Sequence, residues 1–302
     1  MFLFLLPLSA QNKYSFSSKN NFSANELKIL TWNIYMLPSI ITQTKNSIRA
    51  TAIGEYLSNG DFDIILFQEA FSVESRRTIY ALVQDIYPYA YGPANSGGIS
   101  FRLNSGLWIL SKLPLKIVDE IEFKQSCGFD ALARKGAILL EGMFNNFCFQ
   151  ILNTHLNAGD CDHVRASQYR QICTDLLDKY RIDNVVQIIG GDFNVDKKDE
   201  HNFERLIEDL SLRDYYSGGQ YSYDGESNDL ISPNYKKRSL IDYIFFRNNF
   251  DDIHVVSNVH RLKRKWSECH SDLSDHYPVS ATVSIQAKTQ TVFAEAVASM
   301  LN

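Results

Sequence analysis

The sequence predicts an α/β fold, with mixed β-sheets and helices outside them, in one domain from about residue 25 to 287. Three observations predict it. Short apolar runs rich in β-branched residues recur along the chain and read as buried strands. Segments with apolar residues at helical spacing stand between them. Hairpins interrupt any strict strand–helix alternation, which argues against an all-parallel sheet. No fixed-period repeat is visible, so solenoids and propellers are set aside.

The first strand is Leu27–Asn33, where apolar and polar residues alternate up to Asn33. Tyr35-Met36-Leu37-Pro38 then leaves the sheet, because proline cannot donate to a ladder. Ile48, Ala52, Ile53 and Leu57 predict a helix over 46–58, ended by Asn59-Gly60. Asp63–Phe67 is a continuous apolar strand that delivers Gln68-Glu69. A helix over 74–85 follows and stops at Tyr87-Pro88; Gly97-Gly98 marks a loop, and Leu107–Leu110 a strand. Strands 137–141 and 147–152 bracket a hairpin turn at 142–146, and the second ends at Asn153-Thr154-His155. Ala166, Tyr169, Ile172, Cys173, Leu176 and Leu177 form one helical stripe. The run from Val185 stops at Gly190-Gly191 and releases Asp192-Phe193-Asn194. If strand geometry persists there, Asp192 and Asn194 point to the same side; an ordinary Asx turn is the competing account of the same residues. A helix over 201–210, a polar tyrosine-rich segment over 215–235, a strand over 240–246 and the run from Asp272 through Ile285 complete the chain.

The 302 residues are 45% hydrophobic and 22% charged, the balance of a globular domain. A net charge of −5 argues against generic nucleic-acid binding, which rests on a basic footprint. The apolar run 2–9 is too short to span a bilayer and resembles the core of a secretory signal whose start lies upstream. Residues 1–24 are thus expected to be a signal-like segment and linker, and 288–302 a C-terminal tail, in a secreted or periplasmic monomer. The five cysteines (127, 148, 161, 173 and 269) show no CxxC spacing, which argues against a zinc site.

Amide, carboxylate and imidazole groups stand at five strand ends: Asn33, Glu69, Asn153 with His155, Asp192 with Asn194, and Asp275 with His276. Asp242 lies in a sixth strand. Sheet folds gather such ends along one rim. A carboxylate at the end of an apolar strand is costly without a cation, and oxygen ligands suit a hard ion such as Mg²⁺. A histidine near neutral pKa takes a proton from water, and a carboxylate orients its ring. These are the groups phosphodiester hydrolysis requires. Neither a GxSxG elbow nor a Walker loop is present.

Thr31-Trp32-Asn33, Gln68-Glu69, Thr154-His155-Leu156, Gly191–Asn194, Ile241-Asp242-Tyr243 and Ser274-Asp275-His276 resemble, in order, the signature of the endonuclease/exonuclease/phosphatase superfamily. Within it, Asn33–Pro38, Asn153–Ala158, Gly190–Val195 and Asp272–Val279 look like neutral sphingomyelinases, as does an Asp-Lys box at Asp130 and Lys135-Gly136. The resemblance implies a four-layer α/β sandwich of two packed mixed sheets with helices outside and the site at one rim. It implies Mg²⁺, with Mn²⁺ or Co²⁺ as substitutes, at Glu69 with Asn33 in or beside its shell. Asp275-His276 would supply the base, with Asp242 orienting the ring; His155 would donate to the phosphoryl or leaving oxygen, and Asp192 and Asn194 would position water and phosphate. It also implies a Cys127–Cys161 disulfide and a sphingomyelin-containing membrane surface as partner. Two departures stand out. The segment matching the membrane-entering aromatic hairpin of secreted bacterial members is Arg261-Leu262-Lys263-Arg264-Lys265-Trp266, so Trp266 and its basic neighbours are the expected docking loop. Asn157 replaces a frequent glutamine. A nuclease, an inositol polyphosphate phosphatase and an inactive lipid-binding module are the rival readings.

Overall fold

A computed structural model describes residues 26–38, 44–97, 102–247 and 253–285. The signal-like segment, the tail and Gly98 lie outside these residues. In chain order the strands are β1 (Glu26–Asn33), β2 (Ile64–Gln68), β3 (Tyr89–Tyr91), β4 (Trp108–Ser111), β5 (Leu115–Glu122), β6 (Gly136–Phe144), β7 (Phe147–His155), β8 (Val186–Asp192), β9 (Tyr223–Asp224), β10 (Arg238–Ser239), β11 (Asp242–Arg247), β12 (Ile253–Val259) and β13 (Val279–Ile285). The helices are α1 (Asn46–Leu57), α2 (Val73–Val83), α3 (Asp162–Ile172) and α4 (Glu200–Leu210). A π-helical turn, Cys173–Leu177, extends α3.

Two sheets carry the fold, with orders β12-β13-β1-β2-β4-β3 and β11-β8-β7-β6-β5. Each has a parallel pair at its heart, β1/β2 and β7/β8, flanked by antiparallel strands. Side-chain alternation then sorts the core. Leu27, Ile29, Ile64 and Leu66 turn inward onto Ile138, Leu140, Ile151 and Ile188 of the second sheet. Their neighbours Leu30, Trp32, Ile65 and Phe67 pack with Ile53 and Leu57 of α1 and Ile79 of α2. On the far side Leu139, Leu152 and Ile189 pack with Tyr169 and Ile172 of α3 and Leu206 of α4. The result is the expected four-layer sandwich, because the central strands bury both faces. No helix among the described residues is long and apolar enough to cross a membrane.

The strand and helix assignments hold with small shifts at their ends. The hairpin turn is tighter than expected: Gly142 lies within β6, and only Asn145-Asn146 remain between the strands. Both have positive φ (47° and 65°), the geometry asparagine tolerates in a two-residue turn.

At their site end the sheets are joined by buried amides rather than by apolar contact. Gln68 Nε2 donates to Asn153 Oδ1 (2.7 Å) and to Thr31 Oγ1 (3.0 Å), while Asn153 Nδ2 donates to the Phe67 carbonyl (2.9 Å). Both amides are fully buried. Asn153→Ala removes the partner of Gln68 and of the Phe67 carbonyl at once. It should destabilise the protein by about 1–3 kcal/mol for each group left unpaired. Urea unfolding should show a lower midpoint with an unchanged slope; an unchanged midpoint would show that this seam adds nothing to stability.

Candidate active site

Strand register assembles the first part of the site. His155 ends β7 directly opposite Asp192 of β8, and Asp192 lies opposite Asp242 of β11. Three functional side chains therefore stand in one row across three adjacent strands. Close approach at this point requires glycine: a Cβ on Gly191 would lie 2.1 Å from the Thr154 carbonyl oxygen. The other sheet brings Asn33, paired in register with Gln68, and Glu69 just beyond. Asn33 Nδ2 donates to Glu69 Oε1 (3.2 Å) and to Asp192 Oδ2 (3.0 Å), bridging the sheets. Tyr35, Glu69 and Asn194 each follow a strand end with φ near +50° (50°, 53° and 53°). Such strain gathers where side chains are aimed at a site.

The Asp272–Tyr277 segment supplies the last groups, and the first sheet holds it in place. Trp32 Nε1 donates to the His276 carbonyl (3.0 Å), and Ser274 Oγ donates to the Asn33 carbonyl (2.6 Å). The buried Arg49 guanidinium donates to the carbonyls of Ile34 (3.0 Å) and Leu273 (2.9 Å), tying the two catalytic-end loops together. His276 Nδ1 then meets Asp242 Oδ2 at 2.8 Å, and its Nε2 lies 3.8 Å from Asp192 Oδ2. His155 Nε2 approaches the same Asp192 oxygen at 3.3 Å and Lys135 Nζ at 2.9 Å. Lys135 also pairs with Asp130 (2.9 Å) and donates to the Leu156 carbonyl (3.0 Å). Glu69, Asp130, Lys135, His155, Asp192, Asn194 and His276 line one cavity of about 650 Å³.

Burial and charge act in opposite directions on these groups. Burial pushes Glu69 up to about 7, reinforced by the Asp275 carboxylate and opposed by Lys135 and His276. Burial and then the Asp242 charge push Asp192 up to about 7. Asp275 is likewise raised, chiefly by burial. Burial lowers His155, and the nearby Lys135 and His276 lower it further, so its ring is held neutral. Burial also disfavours a charged His276, but Asp242, Asp192 and Asp275 outweigh it and hold the ring well above its ordinary range.

The donor set fits a hard divalent cation. Glu69 Oε2 is buried with no hydrogen-bond partner, and its carboxylate sits against the like charge of Asp275. A second group, Asp192, Asp242 and His276, has one ligand atom from each within 4.8 Å of the others. There, however, His276 Nδ1 and Asp242 Oδ2 already satisfy each other. Asn33 stands beside the Glu69 position with a donor facing it, since its Oδ1 accepts from Tyr35 N (3.1 Å).

All the expected rim residues converge, with three differences in detail. Asn194 reaches the cavity by a turn and not by strand alternation: the strand stops at Asp192, Asn194 turns left-handed with its N–H donating to Asp192 Oδ1 (3.0 Å), the competing Asx turn, and its Nδ2 donates to the Leu156 carbonyl (3.0 Å). Asp275, expected to act with His276, instead lies within reach of the charges of Glu69 and Arg49, and the hydrogen bond to the His276 ring comes from Asp242, the residue expected to orient it. Trp266 is turned inward: its Nε1 donates to the Asp272 carbonyl (2.7 Å) and its ring stacks on His270. Arg261 pairs with Asp224, Lys263 with Asp272 and Arg264 with Glu55, so the charge of this loop is largely spent within the molecule. Cys127 and Cys161 form the implied disulfide, with Cα atoms 6.6 Å apart. Two residues escaped the sequence reading. Arg49 looked like one charge on a surface helix. Tyr223, whose ring meets His276 edge-on at 5.2 Å, lay in a segment read only as tyrosine-rich.

Comparison with known proteins matches this geometry to a family. Residues 30–276 match the model of the Endonuclease/Exonuclease/phosphatase family. A phospholipase C of Staphylococcus aureus is 29% identical, covering 92% of this chain and 93% of its own. A sphingomyelinase C of Bacillus cereus is 26% identical, covering 87% and 90%. Among solved structures, beta toxin from Staphylococcus aureus superposes with a TM-score of 0.76 at 28% identity, covering 84% of this chain and 99% of that one. A mutant of that toxin, with bound magnesium ions, gives a TM-score of 0.75 at 27% identity, covering 85% and 99%. The chain therefore belongs to the Endonuclease/Exonuclease/phosphatase family, as a phosphodiesterase of the sphingomyelinase type.

Proposed function

We propose that the chain hydrolyses sphingomyelin to ceramide and phosphocholine with Mg²⁺ as its cofactor, at a sphingomyelin-containing membrane surface. One observation carries this reading: a single cavity holds an unpartnered, buried Glu69 oxygen and a histidine whose Nδ1 is held by Asp242. Relatives named sphingomyelinase C supply the substrate class. The Cys127–Cys161 bond suits export to an oxidising compartment.

In this reading Glu69 holds the cation, with Asn33 beside it fixing the carboxylate. A divalent ion held there would supply neutralisation of charge on the phosphoryl oxygens. His276 takes the proton of the attacking water at Nε2 as the new P–O bond forms. Asp242 keeps the ring in the required tautomer and stabilises the resulting imidazolium. Asp192 and Asn194 position the water and the phosphate. The bond to the ceramide oxygen breaks, and that oxygen takes a proton relayed from the Lys135 ammonium through His155. His155 receives one at Nε2 as it gives up its other N–H, so that Lys135 ends as the neutral amine and His155 ends neutral as before. Neutral His155 beside the Lys135 ammonium offers an oxyanion a donor there without a second buried imidazolium. Asp130 holds Lys135 in place.

Hydrolysis of sphingomyelin should cease in EDTA and return with Mg²⁺, while Glu69→Gln should stay inactive at any Mg²⁺ level that restores the parent. The same assay should be run on phosphatidylcholine, DNA and inositol phosphates. Equal sphingomyelin cleavage in EDTA would remove the cation from the mechanism, and preferential cleavage of DNA would favour the nuclease reading.

His276→Ala should lower the rate by about 10²–10⁴, the usual worth of a positioned base. Only the neutral ring accepts a proton, so the parent's rate should rise with pH through the His276 pKa. The surrounding carboxylates place that limb above the ordinary histidine value of 6.5. Asp242→Asn removes a charge that stabilises the protonated ring, so its lower residual rate should reach a plateau at lower pH than the parent's. A pH–rate profile in which the limb stays put would assign the proton acceptor to another group.

A further inference from the structure

An enzyme that cleaves a membrane lipid has to bring its cavity to the headgroup layer, and the expected docking loop is occupied with internal contacts. Trp266 and three of its basic neighbours bind the protein itself. The exposed apolar side chains lie elsewhere. Among the described residues Phe129 is the most exposed large hydrophobic, at 92%, and Leu132 follows at 59%. Both belong to the 3₁₀ turn Gly128–Leu132, in which no residue is buried.

Three features connect this turn to the catalytic cavity. Asp130, directly after Phe129, lines the cavity and pairs with Lys135, which contacts His155. The tip is thus two side-chain contacts from a catalytic histidine. Its base is clamped: Cys127 is bonded to Cys161, Cys127 N donates to Asn157 Oδ1 (2.9 Å), and Ala158 N donates to Asp130 Oδ2 (2.6 Å). Tyr235, 46% exposed, lines the same cavity with a ring that is apolar at its face and polar at its tip. An exposed aromatic tip on a braced base costs little further ordering when it enters an interface, and Phe and Leu side chains of interfacial elements bury at the headgroup–acyl boundary.

We infer that Phe129 and Leu132 insert into the lipid surface and seat the cavity over the headgroup, so that the disulfide-clamped turn is the membrane-docking device of this enzyme. The inference rests on the membrane-lipid reading given above. It requires attraction that is mainly apolar, and so it should survive on zwitterionic vesicles and at high salt.

The test uses vesicles of sphingomyelin and phosphatidylcholine, the full chain and the Phe129→Ala/Leu132→Ala double variant. Neither residue lines the cavity, so hydrolysis of a short soluble phosphocholine diester should match the parent. Vesicle sedimentation should weaken by about ten- to a hundredfold, following the apolar burial lost, and vesicle hydrolysis should fall in step. Phe129→Trp should restore binding, and its emission should shift to the blue on vesicles and be quenched by brominated lipid. Vesicle binding and cleavage by the double variant equal to the parent's would overturn the docking inference. A parent that binds through Phe129 but leaves sphingomyelin intact would support docking and overturn the substrate reading; a parent that binds no vesicle would overturn both. A lipid-independent dimer abolished by Phe129→Ala would assign the turn to a second copy of the chain instead.

Discussion

The Asn33 carboxamide sits where the two sheets meet, donating to Glu69 on one side and to Asp192 on the other. The geometry of the site depends on this bridge. Glu69 belongs to the end of the first sheet, while Asp192 belongs to the row formed with His155 and Asp242 in the second. Packed apolar faces fix the sheets' spacing through close but non-directional contact. Hydrogen bonds of about 3 Å add direction and so fix individual atoms against one another. The Gln68–Asn153 pair just below repeats the same arrangement. Two layers of amide contacts thus convert a hydrophobic stack into a fixed distance between Glu69 of one sheet and the His155–Asp192–Asp242 row of the other.

That fixed distance comes with concentrated negative charge. Glu69, Asp192, Asp242 and Asp275 converge, against His276, Lys135 and Arg49 as the cations near them. Two of the carboxylates are pushed up to about 7, so the protein alone does not balance the charge. A site of this kind binds a positive ion readily and is poised to transfer protons near neutrality. Lys135 and the Asp242–His276 pair then divide the work electrostatically: one histidine is held neutral and the other strongly basic. Two identical side chains acquire different proton chemistry from their neighbours alone.

Much of this was legible in the sequence, because the central strands carry the strongest signal. β2, β7 and β8 are buried along their whole length and read as largely apolar runs, β1 reads as an alternation, and all four end abruptly at polar residues. The polar residue at each such end became a rim residue. The strands of the two large sheets that escaped, β3, β5 and β12, all lie at sheet edges. Their sequences mix exposed and buried positions, as β5 does with Leu-Lys-Ile-Val-Asp-Glu-Ile-Glu, and the pattern fades into loop-like polarity. Arg49 was illegible for a different reason. Its role is to donate to the carbonyls of Ile34 and Leu273, and the second of those contacts spans 224 positions that no local pattern encodes. Asn194 misled because alternation was extended two residues past the point where β8 ends.

The basic run before His276 shows how a charge pattern can be read correctly for location and wrongly for purpose. Arg261 and Arg238 both reach Asp224, and Lys263 reaches Asp272, two fully buried aspartates on either side of the catalytic segment. Asp224 follows Tyr223, whose backbone bridges to His276, and Asp272 opens the segment that ends in His276 and Tyr277. Cations placed there neutralise buried carboxylates and brace the catalytic histidine from outside. A side chain held in that way cannot also reach into a bilayer without releasing an unpaired buried charge. Bracing and docking are therefore separated in this fold. The segment before His276 spends its charges on Asp224 and Asp272, and the exposed side chains of Phe129 and Leu132 lie on a turn whose base is clamped by a disulfide.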